Sequence, residues 1–169
     1  NEDEVLVPPY SFVATANAVS HLGAIPHFID IDNGSLSMSP EALDQRLRDI
    51  AYKKDGDVFN RETGRRISAI LPVHVFGVPA DLESISIIAR SWGIPIVEDA
   101  AEALGSWIEI NNKKIHCGLI GDVGIISFNG NKLITSGGGG VIITNNKQLA
   151  FRAKHLTTTA KINHPWEFD

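Results

Sequence analysis

Short apolar runs alternate with stretches whose apolar residues recur every three or four positions, which predicts strands and helices in turn. Val5-Leu6-Val7 reads as a strand closed by Pro8-Pro9. Ser11 is placed to cap a helix running to about Leu22, with Phe12, Ala16 and Val19 on its inner face. Gly23 ends that helix, and residues 25–29 form the next strand, closed by Asp30-Ile31-Asp32-Asn33-Gly34. At Ser39-Pro40-Glu41 a capping hydroxyl, a proline at the first helical position and an early acid mark a helix start; Leu43, Leu47 and Ile50 follow at helical spacing. Residues 53–66 are polar and contain Asp55-Gly56 and Thr63-Gly64, which predicts a solvated surface hairpin without chemistry.

Residues 67–73 are a buried strand, and Asp81 caps a helix to Trp92 with Leu82, Ile85 and Ile88 inward and Gly93 at its end. Ile94-Pro95-Ile96-Val97 is a strand ending on Glu98-Asp99, and residues 105–116 form a hairpin turning at Asn111-Asn112. An apolar run from Val123 then stops at Ser127, and Lys132 follows in a polar turn. Four glycines, Gly137 to Gly140, lead into a second apolar run, Val141-Ile142-Ile143-Thr144, and residues 148–156 begin a last helix. This strand–helix rhythm predicts an α/β fold with a mostly parallel sheet flanked by helices. In such sheets ligands bind beyond the carboxyl ends of the strands, so the polar residues that follow apolar runs carry the interest.

Composition narrows the classes. A chain of 169 residues with 43% hydrophobic and 21% charged residues is that of one soluble globular domain. A formal charge of −5 argues against nucleic acid or an anionic membrane as partner, and no run approaches a membrane span or a signal peptide. The single cysteine, Cys117, rules out an internal disulfide framework; it fits a reducing compartment and reads as a packed thiol. The chain opens on Asn1-Glu2-Asp3-Glu4 and stops at His164-Pro165-Trp166-Glu167-Phe168-Asp169, and a fragment of a longer protein is the working expectation.

Six residues stand out at or just beyond strand ends. Lys132, read as held between two buried strands and beside glycines that let backbone approach a ligand, suits a Schiff-base amine; alone, it reads more readily as an exposed turn lysine. Asp99 closes a buried strand, an expensive place for a carboxylate without a positive partner. It would serve the pyridine nitrogen of pyridoxal phosphate, or equally cap the next turn. Glu102 shares a helical face with Asp99 and would meet the cofactor's hydroxyl or the substrate, or simply be solvated. Phe12 suits stacking on a flat ring, or an ordinary core position, and Ser127 suits a phosphate, or an ordinary turn. His74, after its strand, is better suited to packing or a backbone hydrogen bond than to proton transfer.

Taken together, residues 9–18 (Pro-Tyr-Ser-Phe-Val-Ala-Thr-Ala-Asn-Ala), 72–81 (Pro-Val-His-Val-Phe-Gly-Val-Pro-Ala-Asp), 98–105 (Glu-Asp-Ala-Ala-Glu-Ala-Leu-Gly) and 127–132 (Ser-Phe-Asn-Gly-Asn-Lys) strongly resemble the DegT/StrS-type sugar aminotransferases, over essentially the whole chain. The resemblance implies a fold type I pyridoxal-phosphate enzyme, with residues 1–169 the central part of its large domain. Residue by residue it makes Lys132 the catalytic, cofactor-bearing lysine, Asp99 the partner of the ring nitrogen, and Phe12 the stacking ring. Ser127 becomes a phosphate ligand and Glu102 the neighbour of the ring hydroxyl, with His74, Asn129 and Asn131 as substrate contacts and no metal. It also implies a nucleotide-linked keto sugar as substrate, glutamate as amino donor, a homodimer in the full-length enzyme, a cytoplasmic location and a role in surface-glycan synthesis. The wording of residues 127–140 and of Thr63-Gly64-Arg65-Arg66 looks most like the branch acting on UDP-linked 4-keto-6-deoxy-N-acetylhexosamines. Against the family pattern, the upstream Gly-Thr segment, the downstream Asn-Tyr-Arg region and the small C-terminal domain are missing from this sequence, so the chain alone is expected to hold half a site.

Two rivals accompany this reading. Some family members carry histidine in place of the lysine and dehydrate the sugar, whereas Lys132 favours transamination. A truncated, non-catalytic binding or regulatory protein on the same fold is the other. A dinucleotide-binding protein is set aside, because no G-x-G-x-x-G follows the first strand and the glycine tract precedes a strand.

Overall fold

In chain order the elements are β1 (Glu4–Val7), α1 (Val13–His21), β2 (Ile25–Phe28), α2 (Pro40–Ile50), β3 (Ala51–Lys54), β4 (Asp57–Asn60) and β5 (Ile67–Ile70). A single 3-10 turn, Val75–Gly77, precedes α3 (Leu82–Trp92). Then come β6 (Val97–Asp99), the hairpin β7 (Trp107–Ile110) and β8 (Lys113–His116), β9 (Val123–Ser127), β10 (Gly140–Ile143) and α4 (Lys147–Thr157). This is a computed structural model, and it describes residues 2–161; the expectation drawn from the two chain ends falls mostly outside them.

β1 lies between β2 and β5, parallel to both, while β9 is parallel to β6 and antiparallel to β10. Parallel bridges Ile70–Ile96 and Val73–Asp99 join the two triplets, giving the order β2-β1-β5-β6-β9-β10. From β1 the chain steps first to one side and then to the other, so a topological switch lies between β1 and β5. There the carboxyl ends open a crevice.

Neighbouring residues of a strand face opposite sides of the sheet. Leu6 of β1 accordingly joins the cluster under α2 and α3, which contains Leu43, Leu47, Ile50, Leu82 and Ile85. Val7 joins Val19 of α1, Leu71, Val73 and Val75. The expected caps of α2 and α3 form: Ser39 Oγ accepts from the Ala42 amide at 3.2 Å and Asp81 Oδ1 from the Ser84 amide at 3.0 Å. Gly93 closes α3 at φ 79°, a left-handed position that glycine adopts without steric cost.

Three expectations change. Ser11 does not cap α1; Phe12 occupies that position with extended backbone, and Thr15 and Val19 are the buried residues of the helix. The extended backbone at Phe12 turns its ring away from the core, leaving it 75% exposed. The hairpin β3–β4 is not simply solvated, since Val58 and Asn60 are buried and Asn60 Nδ2 donates to Glu4 at 2.9 Å. β10 is an edge strand with Val141 and Ile142 exposed, not a buried one, so Lys132 is flanked by one core strand and one edge strand.

Candidate active site

One cleft of about 720 Å³ is bordered by every residue singled out in the sequence: Phe12, His74, Asp99, Glu102, Ser127, Asn129, Asn131 and Lys132. They arrive from separate strand ends. Phe12 follows the loop after β1, Asp99 is the last residue of β6, and Ser127 is the last of β9.

Lys132 is held in a turn in which its amide donates to Asn129 O at 3.0 Å, and its side chain is only 13% exposed. Its Nζ lies 3.2 Å from Glu102 Oε1. The other oxygen of Glu102 accepts from the Phe76 amide at 2.9 Å. Phe76 has φ 54° and ψ 23°, a left-handed conformation uncommon for an aromatic residue, and its strain points that amide at the carboxylate. Behind it, a Cβ on Gly77 would lie 2.9 Å from Glu102 O, which explains glycine at that position.

Asp99 is fixed on both sides. Its backbone exchanges hydrogen bonds with β5's extension, Asp99 N to Pro72 O at 2.9 Å and His74 N to Asp99 O at 3.0 Å. Its carboxylate accepts from Thr15 Oγ1 at 2.7 Å and from the Ala101 amide at 3.2 Å. Ser127 Oγ accepts from the Asn129 amide at 3.2 Å, and Asn129 Nδ2 donates to Asn131 Oδ1 at 3.2 Å. The glycine tract turns through positive φ at Gly137 and Gly139 (85° and 84°) before entering β10, and Gly139 borders the cleft.

His74 makes the buried, backbone-bonded contact read from its position, which corrects the substrate contact that the resemblance implies. It borders the cleft but is fully buried, with Nδ1 accepting from the Ala80 amide at 3.0 Å. That bond leaves the proton on Nε2, which donates to Glu98 Oε2 at 3.0 Å. Both nitrogens are used, so no nitrogen of His74 is free for a substrate. Glu98 also accepts from the amides of Gly118, Ile120 and Gly121. Burial pushes its pKa up, but the His74 bond and the amides outweigh that and hold it below the ordinary carboxylate value. Cys117 is buried, and burial together with the Glu98 charge pushes its thiol up to about 12, which fits the packed thiol read from sequence.

Thr15, Tyr10 and Phe76 also border the cleft and were not foreseen. Thr15 sits in a helical stretch where a polar residue reads as solvent-facing. Phe76 lies inside the 72–81 segment, but a left-handed aromatic has no signature in sequence. The set is chemically suited to a flat, phosphorylated, nitrogen-containing aldehyde. It offers an amine to bond the carbonyl carbon, a carboxylate for a ring N–H, an exposed aromatic face and a hydroxyl for phosphate.

The model of the DegT/DnrJ/EryC1/StrS aminotransferase family matches residues 1–166. GDP-perosamine synthase of Escherichia coli O157:H7 is 37% identical over 154 residues, covering 91% of this chain and 37% of that protein. Among solved structures, a DegT DnrJ EryC1 StrS aminotransferase from Brucella abortus superposes with TM-score 0.82 at 31% identity, over 99% of this chain and 42% of the other. NtdA from Bacillus subtilis, described with bound cofactor PMP, superposes with TM-score 0.74 at 25% identity, over 99% of this chain and 34% of the other. The chain thus spans well under half the length of the proteins it matches.

Proposed function

This chain belongs to the DegT/DnrJ/EryC1/StrS aminotransferase family, and from that premise we propose that it forms the cofactor-binding part of a pyridoxal-phosphate aminotransferase acting on a nucleotide-linked keto sugar. The carrying observation is that Lys132 and Asp99, which are 33 positions apart in sequence (132 − 99), border the same cleft together with an exposed aromatic face at Phe12. When bound, pyridoxal phosphate supplies an electrophilic carbon and an electron-poor ring that accepts the electron pair left by a departing α-proton.

The chain's own residues divide the remaining work. The Lys132 amine would hold the cofactor at its carbonyl carbon, the oxygen leaving as water, and when free would take up the proton that leaves the donor's α-carbon, a role typically worth about a hundred- to ten-thousand-fold in rate. Asp99 would accept the ring N–H, and its charge would favour the protonated ring. Phe12 would cover one ring face, Ser127 would donate to the phosphate, and Glu102, already 3.2 Å from Lys132 Nζ, would serve the ring hydroxyl and give that amine a counter-charge. Asn129 and Asn131, which border the same cleft, would meet hydroxyls of the sugar.

The finer reading has glutamate as donor and a UDP-linked 4-keto-6-deoxy-N-acetylhexosamine as acceptor. A second copy completes the site, the enzyme works in the cytoplasm, and its product feeds a surface glycan such as lipopolysaccharide. The 127–140 segment and the Thr63–Arg66 turn support the UDP branch. The name of the Escherichia coli relative supports a GDP-linked sugar instead, and an assay offering both nucleotide sugars separates them. No helix among the described residues is long and apolar enough to cross a membrane.

Lys132→Ala is the test. The variant is expected to lose the visible absorbance that the protein gains with pyridoxal phosphate, and to lose amino transfer to the keto sugar. Retention of both overturns the proposal.

A further inference from the structure

We propose that Thr15 is a positioning residue for the Asp99 carboxylate, an inference that rests on the cofactor reading above. Asp99 needs its carboxylate plane held at one angle if an oxygen is to meet a ring N–H in line. Its backbone is already fixed by bonds to Pro72 and His74. The side chain still has two rotatable bonds, and β6 itself offers nothing that holds them.

Two donors do. Ala101 N–H holds Oδ1 from the chain just beyond β6, at 3.2 Å. Thr15 Oγ1, from α1 and 84 positions away, holds Oδ2 at the shorter distance of 2.7 Å. A carboxylate has about four acceptor sites, so two donors leave room for a third. Thr15 is 5% exposed. A helical threonine commonly turns its hydroxyl back onto its own helix; here the one hydroxyl hydrogen is given to Asp99 across the cleft wall.

The placement has a second consequence. Phe12, at the cap of α1, lies three residues before Thr15, and the Thr15 amide donates to Phe12 O at 3.1 Å. One turn therefore sets both the exposed ring face and the angle of the carboxylate. A shift of α1 would move both together. Thr15 touches neither ring nor substrate in this scheme; it acts through Asp99.

A double-mutant cycle on the protein reconstituted with pyridoxal phosphate tests this, reading the cofactor dissociation constant and the position of the visible band. Thr15→Val keeps the volume and removes the donor; it is expected to weaken cofactor binding about tenfold, the usual scale for a lost hydrogen bond to a charged group, and to move the band. Thr15→Ser keeps the donor and is expected to restore both. In an Asp99→Ala background Thr15→Val is expected to cost nothing further, whereas a threonine that merely packs α1 would cost the same in both backgrounds. If Thr15→Val does not fold, Thr15→Ala carries the same comparison with Thr15→Ser. Equal binding by the Val and Ser variants, or an undiminished effect of Val without Asp99, overturns the inference while leaving the cofactor reading intact. An Asp99→Ala protein with unaltered affinity and band overturns that reading, and this one with it.

Discussion

At the scale of single residues, the adjacent acids Glu98 and Asp99 show how one strand serves two purposes. Side chains alternate across a strand, so when Asp99 faces the cleft its neighbour faces the other side of the sheet. There Glu98 is fully buried and answers His74 and three backbone amides. A buried carboxylate so surrounded is costly to alter, because its donors lose their partner. Glu98→Gln puts an amide NH₂ among N–H groups, and the expected loss is about 3 kcal/mol in denaturant unfolding; a loss below about 0.5 kcal/mol would mean the network is dispensable. That Asp99, Lys132, Phe12 and Ser127 would border one cleft was legible in the sequence, because each follows an apolar run, at the end where α/β sheets hold ligands. The backbone bond read for His74 forms with Ala80, six positions on, but Thr15 and the bond from His74 Nε2 to Glu98 were not legible. Their partners lie 84 and 24 positions away, and no periodicity encodes a contact of that range.

At the scale of elements, the approach of β9 to the segment after β8 depends on two glycines. A Cβ on Gly124 would lie 2.1 Å from Gly118 O and 2.3 Å from Gly118 Cα, so any side chain there pushes β9 off the loop that Glu98 holds. Backbone cannot give way as a flexible side chain can. Gly124→Ala is expected to cost about 3 kcal/mol, at the upper end for overpacking, and to weaken cofactor binding, since β9 carries Ser127. Gly130 is the contrast: a Cβ added there would meet nothing within 4 Å, and its φ is not positive. Gly130→Ala is expected to stay within about 0.5 kcal/mol of the native protein, and thermal unfolding of both variants checks the pair. Helix starts at Ser39 and Asp81, and turns at Asp55-Gly56 and Asn111-Asn112, were readable because capping and left-handed turns are local. The start of α1 was misread by the same local rule. Ser11 Oγ donates to Phe12 O at 3.1 Å instead of accepting from the helix, and the chain uses Phe12 at the cap to send a ring into the cleft.

At the scale of the whole molecule, two buried carboxylates tie the sheet together at different places and set its response to acid. Glu4, at the start of β1, meets Asn60, Thr63 and His27 at 2.9, 2.6 and 3.0 Å and so pins the β3–β4 hairpin region and β2 to β1. Glu98 pins the segment before β9 to β6. For both, burial raises the pKa and hydrogen bonds more than offset it, so each lies below its ordinary 4.5 in the folded chain. Between the lowered and ordinary values the unfolded chain binds more protons than the folded one, and stability therefore rises with pH. The stabilisation is fully present above about pH 4.5 and is lost as pH falls through the folded values, each group contributing up to about 1.4 kcal/mol per pH unit in that window. Denaturant midpoints measured from pH 7 down to pH 3 are expected to fall steeply below 4.5. Glu4→Gln should shallow that slope by roughly one proton's worth, while leaving the cofactor cleft at the other end of the strands unaltered. An unchanged slope would mean that Glu4 is not held ionised by its three partners.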